Sequence, residues 1–165
     1  MLIGLSAMLQ NFLEALTITG AEKKLKRVLL TTGCKQYGVH LGPVKCPMKE
    51  SDPWIEDPGR PSNFCYTQQR ILWAAAKKGG WEWIVTYPNN VIGVAKGNFM
   101  NLASSVAIYA AVNKELTREL EFPRSEKFYN MFDCFTDSKI HGKFNKWAAL
   151  EPKCGNQSFN IHNGD

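Results

Sequence analysis

The sequence predicts an α/β fold built around a parallel β-α-β unit. Two short apolar runs, at residues 28–30 and 83–86, have the length and composition of buried parallel strands. Between them lies a helical pattern that begins after Ser62 or Asn63 and stops at Gly79 and Gly80. Such units cross over with a right hand, and their ligands bind outside the carboxyl ends of the strands.

The remaining segments predict three further helices and a final strand. Apolar residues recur at helical spacing over residues 1–16, and a small-residue face predicts a helix over about residues 101–119. A helix over about residues 137–150 and a strand at residues 158–161 follow. Residues 33–62 carry five prolines and four glycines, which predicts a long loop. A loop of that length in a compact domain is usually functional or mobile.

Composition limits the classes of protein that the chain represents. Its 165 residues suit one domain, and 44% hydrophobic with 21% charged residues is typical of a globular chain. The net charge of +5 fits either an anionic partner such as nucleic acid or solubility alone. The basic run at residues 23–27 fits a solvated turn better than a contact surface. Residues 1–16 lack the plan of a signal peptide and are too short to span a bilayer, so we expect a soluble cytoplasmic protein without a membrane or nucleic-acid partner.

Several kinds of site lack support in the sequence. The five cysteines include no Cys-x-x-Cys pair and are odd in number, which argues against a disulfide framework or a zinc site and favours a reducing compartment. The three histidines have no partner at metal-ligand spacing. Neither a glycine-rich phosphate cradle nor a Gly-x-Ser-x-Gly elbow is present. We therefore expect no metal and no serine-hydrolase chemistry.

Three segments are expected to meet at the ligand-binding edge of the sheet. Residues 31–37 follow the first strand, and residues 87–93 follow the second. The helix start at residues 63–66 can fold back toward the same edge.

These segments also carry a family resemblance. The motifs are Thr-Gly-Cys-Lys-Gln-Tyr-Gly at 32–38, Asn-Phe-Cys-Tyr-Thr-Gln at 63–68, Tyr-Pro-Asn-Asn-Val-Ile-Gly at 87–93, Asn-Phe-Met-Asn-Leu at 98–102 and Phe-Asn-Ile-His-Asn-Gly-Asp at 159–165. In order and spacing they resemble the progesterone 5β-reductase and iridoid synthase branch of the short-chain dehydrogenases/reductases, in its fungal form. The resemblance runs from about Met8 to the last residue.

The resemblance implies an NADPH-dependent reductase that transfers hydride to a carbonyl or enone of a small secondary metabolite. In the family a loop lysine, here Lys35, holds the ribose hydroxyls and lowers the pKa of a tyrosine phenol, which stabilises the developing oxyanion. This chain has Cys65 where the family has that tyrosine, and Tyr66 matches the second, non-catalytic tyrosine. Lys35, Cys65 and Tyr66 are the candidate catalytic residues. The residues implied to line the nicotinamide and its ribose are Thr31, Val91, Asn98, Phe99 and Met100.

Alternatives remain at each of these positions. Taken alone, Lys35 is a solvated loop lysine, and Cys65 is an inert small residue at a helix start or, with its pKa lowered by that helix, a reactive thiol. Residues 98–101 also suit a helix cap. Because a thiol donates a hydrogen bond poorly and the family's acidic pair is replaced by Gln69 and Arg70, we expect impaired chemistry.

The resemblance also covers only part of the family's plan. The family's glycine-rich phosphate loop has no counterpart before Met8, and the family continues beyond residue 165. We therefore expect a partial Rossmann-like parallel sheet with flanking helices that lacks the first β-α-β half. Residues 1–97 would form the C-terminal half of a dinucleotide-binding domain, and residues 98–165 the start of a substrate-binding portion. A second chain or a second copy would cover the exposed sheet edge. The competing hypothesis is a non-catalytic remnant or partner-binding module.

Overall fold

The computed structural model describes residues 2–59, 61–98, 100–130 and 133–164. Its helices are α1 (Leu2–Ile18), α2 (Phe64–Gly79), α3 (Leu102–Glu115), α4 (Glu126–Tyr129) and α5 (Ser138–Leu150). Its strands are β1 (Arg27–Thr31), β2 (Glu82–Pro88), β3 (Asn90–Ile92), β4 (Phe135–Asp137) and β5 (Gln157–Ile161). The α/β class and the parallel β1-α2-β2 unit are confirmed.

The main sheet consists of three parallel strands in the order β1-β2-β5. Leu29 of β1 aligns with Ile84 of β2, and Val85 of β2 aligns with Ser158 of β5. As the central strand, β2 is covered on both faces, and its last five residues are all buried. β3 and β4 form a second, two-stranded parallel sheet.

The two faces of the main sheet are covered by different helices. Successive residues of a strand point to opposite faces, and Ile84 and Val85 accordingly enter two separate cores. Val85 packs with Leu13 of α1 and Leu72 of α2. Ile84 packs with Ala148 of α5. The sheet is therefore sandwiched between the α1–α2 pair and α5.

Local signals set the ends of α2. The Asn63 side chain accepts a hydrogen bond from the Cys65 N–H, so Asn63 rather than Ser62 is the cap. At the other end Gly80 has a φ of 72°, and its N–H donates to the Ala76 carbonyl. This left-handed conformation favours glycine, which explains why the helix stops there.

Three details of the predicted elements were wrong. α3 ends at Glu115 rather than near residue 119, because the chain turns at Thr117, whose φ is 51°. β2 continues through Pro88, which aligns with Ile161, since a proline in the last position removes no earlier ladder bond. β3 and β4 were not predicted, because three residues are too few to show a strand period.

The boundary expected after residue 97 stays a prediction. β5 and α5, both from the second part, pack in and on the main sheet. Within the described ranges, no helix combines the length and the apolar character needed to cross a membrane.

Candidate functional site

A cavity of about 630 Å³ lies at the carboxyl ends of β1 and β2. Its wall contains residues from the turn after β1, from the start of α2 and from the segment after β2; they include Lys35, Phe64 and Asn89. The three segments expected to converge from the sequence are thus brought together. Because parallel strands leave an opening at this edge, the location is the one where α/β proteins bind ligands.

Gly33 allows the turn after β1 to approach β2 closely. Its φ is 136°, and a Cβ added there would lie 3.1 Å from the Pro88 carbonyl oxygen. The preceding residue, Thr32, donates its N–H to the Thr86 carbonyl at 3.0 Å. A larger residue at position 33 would push the two cavity walls apart.

One side chain joins the Lys35 turn (Cys34–Tyr37) to the start of α2. Asn63 Nδ2 donates to the Lys35 carbonyl at 2.7 Å, and Asn63 Oδ1 accepts from the Cys65 N–H at 3.1 Å. Asn63 is buried, so both bonds are shielded from water. The lysine ammonium lies 6.0 Å from the centre of the Phe64 ring, which is a cation–π distance.

Cys65 lies close to the cavity but does not line it. Its side chain is 1% exposed, and its neighbour Phe64 forms the wall instead. Burial raises the pKa of the Cys65 thiol to about 11, and the Lys35 charge and a backbone hydrogen bond oppose this only in part. The thiol is therefore neutral near pH 7 and directed into the protein, which suits an inert residue at a helix start.

Tyr66 lies on another side of α2. Its hydroxyl accepts from the Ile55 N–H at 3.0 Å, and its ring stacks on Trp54 with 4.4 Å between centroids. It lines a separate cavity of about 310 Å³ together with Arg70. The structure thus places Lys35 and Tyr66 on different cavities. Phe64 faces the Lys35 cavity, and Tyr66, two residues later on α2, lies roughly 200° further around the helix.

The residues implied to bind the cofactor divide into three groups. Val91, Asn98 and Met100 line the cavity beside Lys35. Thr31 does not line it, because its hydroxyl faces the other side of the sheet and lies 3.2 Å from Thr86 Oγ1. Phe99 lies outside the described residues.

Thr32 and Phe64 are among the wall residues to which sequence reasoning gave no role, and Asn101 was underrated. Thr32, not Thr31, lies in the cavity wall. Alternation along a strand predicts that the two side chains face opposite sides, but it does not say which of them faces the cavity. Phe64 was quoted in a motif but given no role. Asn101 was considered only as a helix cap, which it is, since it accepts from the Ser104 N–H at 3.2 Å. Asn101 also donates to the Gly93 carbonyl at 2.7 Å and so ties α3 to the cavity wall.

Among the described residues, the buried Thr32 Oγ1 has no hydrogen-bond partner and the Lys35 ammonium, although it lies near the Phe64 ring, has no ion-pair partner. A hydroxyl and an ammonium left free on one concave wall fit a ligand rich in hydroxyl groups, such as a ribose. The described residues hold no cluster of three or more His, Cys, Asp or Glu suited to a metal.

A parallel sheet with this cavity at its carboxyl edge defines the class of Rossmann-like α/β proteins. Residues 10–164 match the PRISE-like Rossmann-fold domain family, and the chain belongs to that family. The resemblance carried by the five motifs is confirmed.

Several relatives in sequence support this membership. An uncharacterized protein of Schizosaccharomyces pombe is 42% identical over 96% of this chain and 39% of its own length. A 3-oxo-Delta(4,5)-steroid 5-beta-reductase of Arabidopsis thaliana is 34% identical over 96% of this chain and 41% of its own. An (S)-8-oxocitronellyl enol synthase of Nepeta cataria is 34% identical over 96% and 40%. The chain therefore spans about two fifths of the length of these relatives.

A solved structure gives the same fold. RMD from Pseudomonas aeruginosa, complexed with NADPH, superimposes with a TM-score of 0.60 at 17% identity, covering 86% of this chain and 46% of that one. The cofactor in that structure is the one that the motif resemblance implies.

Proposed function

We propose that the cavity beside Lys35 binds the nicotinamide–ribose end of NADPH and that the protein reduces a carbonyl or enone of a small molecule. The observation that carries the proposal is the pairing of a free ammonium and a free buried hydroxyl on one wall of a cavity at the sheet's carboxyl edge. Membership of the PRISE-like family supports it. So do the names of the relatives, which include a steroid reductase and an enol synthase.

The chain's own residues would hold the cofactor and stabilise charge. The Lys35 ammonium offers three donors to ribose hydroxyls or to an oxygen that becomes negative during reduction. Thr32, whose buried hydroxyl has no hydrogen-bond partner among the described residues, belongs to the same wall. When bound, NADPH supplies the hydride. The side chains of Val91 and Met100 are exposed on the cavity and give the substrate an apolar contact surface.

The proposal assigns the stabilisation of the oxyanion to Lys35 rather than to a phenol or thiol. Among the described residues of the cavity wall there is no tyrosine, and Cys65 is buried beneath Phe64 with a raised pKa. An ammonium placed beside the reacting oxygen stabilises the negative charge that develops on it. We therefore expect a slower reductase than one with both groups.

The burial of Cys65 favours a second candidate function, a protein that binds the nucleotide without turnover. A buried neutral thiol supplies no proton donor at the cavity. Binding of NADPH with no loss of its absorbance, across a panel of small enones and ketones, would favour this second function. Loss of NADPH that depends on the added enone would favour the reductase.

The first experiment measures binding to the 165-residue chain. Energy transfer from tryptophan to added NADPH gives the dissociation constant for the parent, for Lys35→Met and for Lys78→Met. Lys78 is an exposed lysine at the far end of α2 and serves as the matched control. We expect binding weaker by roughly tenfold or more for Lys35→Met, since a hydrogen bond to a charged group contributes about 1.5–3 kcal/mol net and about 1.4 kcal/mol corresponds to tenfold. Equal binding by all three proteins would contradict the proposed site.

A further inference from the structure

Gln69 lies at the meeting point of three elements around the proposed site. It is fully buried one helical turn after Cys65 on α2. Its Nε2 donates to Gln36 Oε1 at 2.5 Å and approaches the Cys65 carbonyl at 3.4 Å. Its Oε1 accepts from the Tyr87 hydroxyl of β2 at 2.9 Å. A single amide therefore links the Lys35 turn, the helix and the central strand.

The contact with Gln36 bears directly on Lys35. Gln36 is the next residue in the turn, and its side chain is buried. The Lys35 carbonyl is held by Asn63 at the start of α2. The turn is thus fixed twice to the same helix, once through its backbone by Asn63 and once through a side chain by Gln69. Tyr37, the last residue of the turn, is held separately, because its ring is buried in the core and its hydroxyl donates to Asn160 of β5 at 2.6 Å. Loss of the Gln69 contact therefore loosens the Lys35–Gln36 part of the turn, which lies between Asn63 and Tyr37.

The chemical type of the residue matters at this position. A primary amide has a donor end for Gln36 and an acceptor end for Tyr87, and it cannot titrate. A carboxylate of the same shape keeps the acceptor but loses the donor. An aliphatic side chain of similar length loses both. The Tyr87 hydroxyl then keeps Ser158 Oγ at 3.1 Å, whereas Gln36 Oε1 loses the donor that Gln69 gives it, and a buried polar group without a partner is costly.

We propose that Gln69 is a positioning residue that sets the distance between the Lys35 ammonium and the start of α2. This inference rests on the proposed function, since the position of Lys35 matters for NADPH. Gln69 itself does not line the cavity and acts through Gln36.

The distance between the Lys35 ammonium and the start of α2 can be followed without the cofactor. The Lys35 Nζ lies 6.0 Å from the Phe64 ring centre, and Phe64 is the first residue of α2. Reductive methylation with ¹³C-formaldehyde places two methyl groups on each lysine nitrogen. The ring current of Phe64 then makes the Lys35 methyl resonance sensitive to the distance between turn and helix. The Lys35→Arg variant assigns that resonance.

The test compares Gln69→Glu and Gln69→Met with Gln68→Met. Gln68 is the adjacent glutamine of the same helix, and its amide points to the Leu5 carbonyl on α1 instead. We expect the Lys35 methyl resonance to move in both Gln69 variants and to stay in place in Gln68→Met, with spectra recorded well below each unfolding midpoint. Gln69→Glu, which keeps the shape, decides the matter if Gln69→Met does not fold.

Each outcome separates this inference from the proposed function. A Lys35 resonance that is unmoved in the Gln69 variants, or equally moved in Gln68→Met, overturns the positioning role. NADPH binding that falls roughly tenfold in Lys35→Met but not in the Gln69 variants overturns it as well, while the proposed function stands. If the parent does not bind NADPH, the proposed function fails, and the methyl resonance still decides whether Gln69 positions Lys35.

Discussion

The thiol of Cys65 should react far more slowly with an alkylating reagent than the thiol of Cys46. Cys65 is 1% exposed, and burial raises its pKa to about 11. Cys46 is exposed on the long loop before α2. Since the thiolate is the species that attacks the reagent, each cysteine reacts at a rate proportional to the fraction of its thiol that is ionised.

The magnitude follows from that fraction. At about pH 7.5 a thiol with a pKa near 11 is ionised in roughly 1 molecule in 3,000, whereas an ordinary thiol with a pKa of about 8.5 is ionised in roughly 1 in 10. Ionisation alone therefore predicts a rate difference on the order of 300-fold, and the higher nucleophilicity of the more basic thiolate reduces this to roughly 20-fold. Burial of the sulfur adds a further delay, because the reagent must wait for a local opening of α2.

The assay is timed alkylation with iodoacetamide, followed by mass spectrometry of the peptides that contain each cysteine. We expect Cys46 to be modified early and Cys65 to remain unmodified at the same time points. In denatured protein the two should react alike, which controls for the reagent and the digestion. A native rate for Cys65 within about tenfold of Cys46 would refute the account and would restore a reactive thiol at this site.

Three further predictions concern stability. Arg27→Met should lower the free energy of unfolding by about 2–4 kcal/mol in urea titrations, because the partly buried guanidinium pairs with Glu82 and donates to three carbonyls at the end of α5. Lys26→Met, at the exposed neighbour, should stay near the parent, and an equal loss in both variants would contradict this. Gly33→Ala should lower the free energy of unfolding by about 1–3 kcal/mol and weaken NADPH binding, since the φ of 136° and the 3.1 Å approach to the Pro88 carbonyl disfavour a Cβ. Gly4→Ala, in open space on α1, is the control and should not destabilise the protein. The raised pKa of Cys65 should make the free energy of unfolding fall as pH rises from about 8.5 to about 11, because the unfolded thiol ionises first. In the Cys65→Ser variant the free energy of unfolding should fall less steeply over this range, and an unchanged fall would show that burial does not perturb the thiol.

The backbone of the fold was predictable because its signals are local. The buried runs of β1 and β2, the asparagine cap and the glycine stop of α2 all lie within a few residues of the features they determine. From these, the crossover rule gives the cavity edge without any knowledge of distant contacts. The convergence of Lys35 with the helix start followed from that topology.

Side-chain direction was the part that sequence reasoning could not fix. At the end of β1, whether Thr31 or Thr32 faces the cavity depends on which face of the sheet each residue points to, and the strand's end was uncertain by one residue. At the start of α2, the helix rotation decides that Phe64 faces the cavity while Cys65 faces the core. That rotation is set by packing against β2 and α1, which are distant in sequence.

The role of Gln69 was hidden for a similar reason. In the sequence it stands only as a departure from the family's acidic pair. Its partners Gln36 and Tyr87 lie 33 and 18 residues away. The structure is needed to show that the three amide and hydroxyl groups meet in one buried network.

The most direct test of the account is a titration of the ¹⁵N-labelled chain with NADPH, followed through the backbone amide resonances. If the cavity beside Lys35 binds the nicotinamide, the resonances of Thr32, Gly33 and Val91 shift together with one dissociation constant, while those of Trp54 and Ile55, beside Tyr66, stay in place. Shifts confined to the Tyr66 side, or no shifts at millimolar cofactor, would show that the cavity beside Lys35 is not a nicotinamide site.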